Sequence, residues 1–184
     1  MQLGANVTGY SIDIPTVPSL FDLLRLEKKI NHIVGDVREH DPLLNTVRTI
    51  KPDFIFHLAA QSLVGNSYDN PSETMTTNII GVNNILDAAR VVGKKCTVVI
   101  ITSDKCYDNL ELERGYHEND ILGGKDPYSA SKGAAELVVK GYYHSFFKNQ
   151  DLIRVATARA GNVIGGGDWA KDRIIPDCIR SWEK

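Results

Sequence analysis

The sequence predicts an α/β fold, a doubly wound parallel sheet flanked by helices. Three observations carry that prediction. Short apolar, β-branched runs alternate with helix-patterned segments almost throughout the 184 residues, as in successive βαβ units. The best of these runs, Cys96-Thr97-Val98-Val99-Ile100-Ile101, is nearly continuously apolar, as in a strand buried within a parallel sheet. Three runs also end in compact polar or small-residue motifs, and the carboxyl ends of strands are where open α/β sheets bind ligands.

Residues 5–11 read as the first strand and 32–36 (HIVGD) as the second. A helix over roughly 41–50 leads to a third strand within 53–60 (DFIFHLAA). A long helix lies within 72–92, and the apolar strand that follows runs out at Thr102. An irregular stretch, 104–125, precedes a helix opening at Asp126-Pro127, because Asp caps a helix N-terminus and Pro suits the first helical position. Residues 153–158 form the next strand, VIGGGDW (163–169) a glycine-rich loop, and a last helix starts at Ile174.

Composition narrows the function. With 21 basic and 23 acidic side chains the formal charge is −2, so charge draws the chain neither to nucleic acid nor to an anionic membrane. No apolar run approaches the ~20 residues of a membrane-spanning helix. Cys96, Cys106 and Cys178 contain no CxxC pair, which implies neither a disulfide framework nor a metal site. MQLGAN at the start lacks the basic-then-apolar pattern of a secretion signal. The expected setting is the cytoplasm, with no nucleic acid, membrane or metal as partner.

The chemistry is written at strand ends and in one helix. YSASK places Tyr128 and Lys132 four residues apart, on one face of the helix that Asp126 caps. A cation one turn from a phenol favours the phenolate, which can accept the proton of a hydroxyl being oxidised. Ser103 follows the buried strand, where its hydroxyl can share that proton. HLAAQ (57–61) ends a strand with Leu58, Ala59 and Ala60, small enough at its last two positions for a flat cofactor to approach the backbone. GDVRE (35–39) ends another with Asp36 and Val37, the former an acceptor for an adenine amino group. A dinucleotide-binding sheet opens with a strand, a glycine-rich turn and a helix. Here the chain starts at what reads as the second strand, so a missing first βα unit is expected. VIGGGDW lies too late to replace it and lacks a P-loop ending.

At SDKCYDN (103–109), GGKDPYSASKGAAELV (123–138) and RAGNVIGGGDWAKDRIIPD (159–177) the chain resembles the extended short-chain dehydrogenase/reductase superfamily, and within it the CDP-glucose 4,6-dehydratases. The resemblance implies a Rossmann-like NAD-binding domain over 1–160 and the beginning of a substrate-binding region over 161–184. It implies NAD as cofactor, the nucleotide-sugar CDP-glucose as substrate, and a lyase of deoxysugar biosynthesis that is a homo-oligomer at full length. The 184 residues by themselves are expected to be inactive. Tyr128, Lys132 and Ser103 match the family's catalytic tyrosine, lysine and hydroxyl partner. Asn78 matches the asparagine of the helix beside the site, and Gln61, Asn162 and Arg173 match substrate-holding positions. Asp104 is implied as the acid and Lys105 as the base of an elimination; related dTDP-glucose dehydratases carry Asp-Glu there. A lysine serves as base only where burial or a neighbouring cation lowers its pKa. An acid is expected at the end of the second strand for the adenosine ribose, but Ser11 occupies that place, with Asp13 two residues on. Two alternatives stand beside this reading: a nucleotide-sugar 4-epimerase with the same tyrosine and lysine, and a non-catalytic remnant.

Overall fold

The computed structural model describes residues 3–183. All strand pairings among them are parallel, as the alternating pattern predicts. They form a two-stranded and a three-stranded sheet, where the sequence suggested one. These sheets belong to two compact units, one gathering residues up to Asp36 with those from Asn162 onward, the other being Val37–Gly161.

In the first unit β1 (Thr8–Ser11) pairs with β2 (Asn31–Val34), Thr8 opposite Asn31 and Ser11 opposite Val34. Between them lies α1 (Leu20–Leu23), where Ser19 Oγ accepts from the Asp22 backbone N–H at 3.0 Å. The chain leaves β2 through Gly35, where a Cβ would fall 2.3 Å from the Tyr10 hydroxyl oxygen. Only glycine fits under that ring. The unit ends with α7 (Ile174–Trp182).

The second unit runs α2 (His40–Ile50), β3 (Phe54–His57), α3 (Val64–Asp69), α4 (Pro71–Met75), α5 (Gly81–Arg90), β4 (Cys96–Ile101), α6 (Pro127–Tyr142) and β5 (Ile153–Ala158). Strand β4 is central, between β3 and β5. Its Cys96, Val98 and Ile100 are buried, and α5 packs on it with Leu86, Ala88 and Ala89 also buried. Burial of such side chains, worth about 1.5–3 kcal/mol for each large aliphatic one, holds this layer together. Asn84 of α5 donates to the Val37 and Arg38 carbonyls, both at 3.0 Å, and so ties the start of the unit to its core.

Two local expectations change, and a helix forms where none was expected. The helix read within 72–92 is α4 and α5 joined by a π-helical turn, Thr76–Ile80, because Asn78 is drawn into bonds with other elements. Strand β3 stops at His57, so Leu58, Ala59 and Ala60 lie outside the ladder. Residues 64–69, which carry no clear apolar period, form α3.

His57 is 5% exposed, and among the described groups its Nε2 has no hydrogen-bond partner. Burial, helped by the charge of Lys132, pushes its pKa down to about 4. Between pH 6.5 and about 4 the unfolded chain therefore takes up a proton that the folded chain refuses. Stability falls as pH falls through that window. Denaturant titrations should show His57→Leu lacking about 2–3 kcal/mol of the acid destabilisation that the parent suffers there. Equal losses in the two proteins would contradict this.

Candidate active site

The site is built where β4 ends. Thr102 and Ser103 are buried, and Ser103 caps a 3₁₀ turn, Asp104–Cys106. Its Oγ accepts from the Lys105 backbone N–H at 3.2 Å and donates to Asp104 Oδ1 at 3.0 Å. The Asp104 N–H donates to the Ala160 carbonyl at 3.1 Å, anchoring the turn beyond the end of β5. Cys106 is fully buried beneath it. Asp104 and Lys105 are both exposed.

Helix α6 begins as its sequence predicts. Asp126 accepts from the Ser129 N–H at 2.9 Å and from the Ser129 hydroxyl at 2.6 Å, with Pro127 in the first position. The helix packs on the Asp104–Cys106 turn. It lies so close to the preceding loop that a Cβ on Gly133 would sit 2.8 Å from the Gly123 carbonyl oxygen. Tyr128 and Lys132, 8% and 6% exposed, share one stripe of the helix. Lys132 Nζ donates to the Ile101 carbonyl at 3.3 Å and lies 5.9 Å from the Tyr128 ring centroid. Burial lowers its pKa to about 8. Lys132 is thus the buried lysine of the site, whereas Lys105 leaves on the turn and is exposed.

The shift at Lys132 makes a stability prediction. Between about pH 8 and 10.5 the unfolded chain keeps a proton that the folded chain has lost, so stability rises with pH through that window. Lys132→Met should gain stability over the parent near neutral pH, on the order of 3 kcal/mol before loss of the Ile101 bond is subtracted. The gain should shrink as pH approaches 10.5. Urea titrations across that range check it, and a pH-independent difference would contradict it.

Asn78 is 2% exposed. Its Oδ1 accepts from the Gln61 N–H at 2.8 Å, while its Nδ2 donates to the Gln61 carbonyl at 3.0 Å and to Ser131 Oγ at 2.8 Å. It clamps the chain after β3 to α6, and this explains the π-helical turn that carries it. Gln61 in turn spends its side-chain amide on Leu63 and Thr74. Val37 is buried, Leu58 exposed, and Ala59 and Ala60 half-buried.

The remaining candidates lie in the first unit. Ser11 Oγ is 2.9 Å from His32 Nε2 and donates to the Asp13 carbonyl at 3.3 Å. Asp13 and Asn162 are exposed and Asp36 is half-buried. Arg173 is half-buried at the position preceding α7.

Sequence reasoning missed Glu136. It is 6% exposed and accepts from Thr102 Oγ1 at 2.5 Å, Thr157 Oγ1 at 3.1 Å, and Arg159 Nε and Nη2, both at 3.0 Å. Burial opposes its charge, but the bonds from Arg159 and Thr102 outweigh that and hold its pKa below the usual value. A signal existed: Tyr128, Lys132 and Glu136 recur every four residues along one stripe. Beside this network lies a cavity of about 610 Å³ whose lining includes Asp104, Lys105, Tyr107, Lys125, Ser129 and Arg159. That volume suits a small molecule.

The sequence profile of the GDP-mannose 4,6 dehydratase family matches residues 11–155. The chain belongs to the GDP-mannose 4,6 dehydratase family. Within this family the chain is similar to the CDP-glucose 4,6-dehydratase of Salmonella typhimurium, with 51% identity over 99% of the chain and 52% of that enzyme. It is also similar to a dTDP-glucose 4,6-dehydratase of Mycobacterium tuberculosis, with 32% identity over 67% of the chain and 37% of the relative. The chain thus spans about half, or less, of the length of these relatives. Among solved structures, a dTDP-glucose 4,6-dehydratase of Streptomyces venezuelae with NAD bound matches 88% of the chain and 47% of its own, with a TM-score of 0.75 and 24% identity. A UDP-glucose 4-epimerase of Thermotoga maritima matches 90% and 50%, with a TM-score of 0.73 and 19% identity. These two likenesses show the fold, a Rossmann-like α/β architecture with parallel sheets. Among the described residues no helix is long and apolar enough to cross a membrane, and no cluster of His, Cys, Asp and Glu is placed to hold a metal.

Proposed function

We propose that the whole protein is a cytoplasmic, NAD-dependent CDP-glucose 4,6-dehydratase. The observation that carries this reading is the buried ammonium of Lys132 one turn from the buried phenol of Tyr128, beside a turn that presents Asp104 and Lys105 together. The 51% identity to the Salmonella enzyme supports the choice of CDP-glucose. Leu137, Tyr143 and Phe146, exposed on and just after α6, support assembly with a second copy.

The residues present fit a nicotinamide dinucleotide. Ala59 and Ala60 leave the backbone after β3 accessible to a flat ring, and Tyr128 with Lys132 brings polar groups to the neighbouring strand end. When bound, that cofactor supplies a reversible hydride store. On this reading Tyr128 takes the proton of the C4 hydroxyl as C4 becomes a carbonyl, and Lys132 favours the phenolate. The proton on C5 is then acidic, and the hydroxyl on C6 is a leaving group. Lys105 removes the C5 proton to leave the enolate of the C4 ketone, and Asp104 then donates a proton to the departing C6 hydroxyl, so that water leaves and a C5–C6 double bond forms. Because Lys105 is exposed, the bound sugar itself must provide the desolvation that frees its amine. With the proton held by Lys105 given back to C5, a hydride that the bound cofactor would supply at C6 would complete a 4-keto-6-deoxy sugar, with no net redox change. An epimerase has no use for this acid–base pair.

Asn78, Gln61, Asn162 and Arg173 complete the proposal. Asn78 and Gln61 shape the chain after β3, while Asn162 and Arg173 hold the substrate, the guanidinium being suited to a diphosphate. Ser11, Asp13, Asp36 and Val37 are assigned to the adenosine end of NAD. The test is mass spectrometry of the products from CDP-, dTDP-, UDP- and GDP-glucose. Loss of one water from CDP-glucose is expected, and an isomer of unchanged mass would overturn the reading.

A further inference from the structure

We infer that Glu136 and Arg159 form a positioning pair that holds the Tyr128–Lys132 helix and the Asp104-Lys105 turn in a single register. The reaction it serves rests on the 4,6-dehydratase reading; the geometry does not.

Glu136 continues the stripe of Tyr128 and Lys132 by one further step of four residues, so its placement fixes how α6 is rotated and where it lies along its axis. Its carboxylate has four donors. Thr102 comes from the end of β4, and Thr157 and Arg159 come from β5 and its exit. The Arg159 guanidinium then reaches the irregular stretch. Its Cζ lies 4.8 Å from the Tyr107 ring centroid, and Nη1 donates to the Glu118 carbonyl at 3.1 Å. Thr102 is two residues before Asp104, and Tyr107 is two residues after Lys105. One ion pair therefore grips the acid–base turn on both flanks while seated on the helix that carries the tyrosine and lysine.

Stability alone does not call for such a pair. A buried ion pair costs desolvation, and apolar replacement of both partners is often neutral or stabilising. What the pair adds is direction, because two parallel N–H···O bonds and a stacked guanidinium fix both distance and angle. Lys132 Nζ bonds the Ile101 carbonyl, one residue before Thr102, so the two anchors on β4 are adjacent in the chain. A shift in one element is thereby transmitted to the other.

The test compares the parent with Glu136→Gln, Arg159→Lys and the double variant Glu136→Gln/Arg159→Met. The first readout needs no activity. Amide hydrogen exchange over Asp104–Cys106 should rise about tenfold in the variants, while exchange over β4 stays unchanged. The double variant should match the parent in unfolding midpoint but not in that exchange. Protected turn amides in the double variant would overturn the inference whether or not the protein is a dehydratase. The second readout uses the whole enzyme with CDP-glucose. Formation of enzyme-bound NADH should stay within about threefold of the parent, while release of the 4-keto-6-deoxy product slows about ten- to a hundredfold, as expected for a small misplacement of the acid and base. Should Glu136→Gln fail to fold, Arg159→Lys keeps the charge and loses only the fork. Equal slowing of both steps in Arg159→Lys, or full elimination in the double variant, would show a merely structural pair. A parent that forms no dehydrated product would count against the dehydratase reading and leave the exchange result to decide this one.

Discussion

Tyr128→Phe lowers turnover of CDP-glucose by the whole enzyme about 10²–10⁴-fold while leaving NAD binding nearly intact. The substitution removes one oxygen from a ring that is buried and shares its helix stripe with a buried lysine. The ring itself, and its packing on the helix that Asp126 and Pro127 start, remain. What is lost is the group that takes the C4 hydroxyl proton, and the lysine alone cannot replace it, because its Nζ is held at the Ile101 carbonyl. The measurement is steady-state turnover together with calorimetric titration of NAD. Retention of more than about a tenth of the parent rate would remove Tyr128 from the chemistry, since general base catalysis contributes more than that.

Lys105→Ala stops the cycle after oxidation. The first step needs Tyr128 and Lys132 only, so NADH builds up on the enzyme, visible in its absorbance. The C5 proton then has no base, and exchange of that position with solvent deuterium falls about 10²–10⁴-fold. Asp104→Asn acts one step later. It slows departure of the C6 hydroxyl while C5 exchange persists in part, because the amine is still present. The two neighbours thus have distinguishable signatures even though Ser103 holds their turn together through both of them. Lys105 is exposed in the structure, so its substitution should leave the fold intact. Undiminished C5 exchange in Lys105→Ala would take it out of the mechanism.

The fold and the tyrosine–lysine pair were legible because both are encoded locally. A six-residue apolar run makes β4, and Asp126-Pro127 starts α6 so that Tyr128 and Lys132 must share a face. What escaped depends on partners far away in the chain. TTNII reads as ordinary helix, and only Asn78 reaching Gln61, 17 residues away, and Ser131, 53 residues away, explains the π-helical turn there. Glu136 has the same history: its four donors come from three residues, Thr102, Thr157 and Arg159, that converge from two strand ends. Lys105 shows the opposite limit. Ser103 and Cys106 on either side of the Asp104-Lys105 pair are buried, yet the 3₁₀ turn carries both members of the pair out to solvent. Sequence adjacency placed Asp104 and Lys105 on one turn without indicating which lysine is desolvated.

On the proposed function, one active site oxidises C4, eliminates across C5 and C6, and returns the same hydride. CDP-glucose carrying deuterium at C4 tests it in one experiment with the whole enzyme. The deuterium is expected on C6 of a 4-keto-6-deoxy product, with a solvent-derived hydrogen at C5. Deuterium returned to C4 of an epimerised or unchanged hexose, with no water lost, would contradict it.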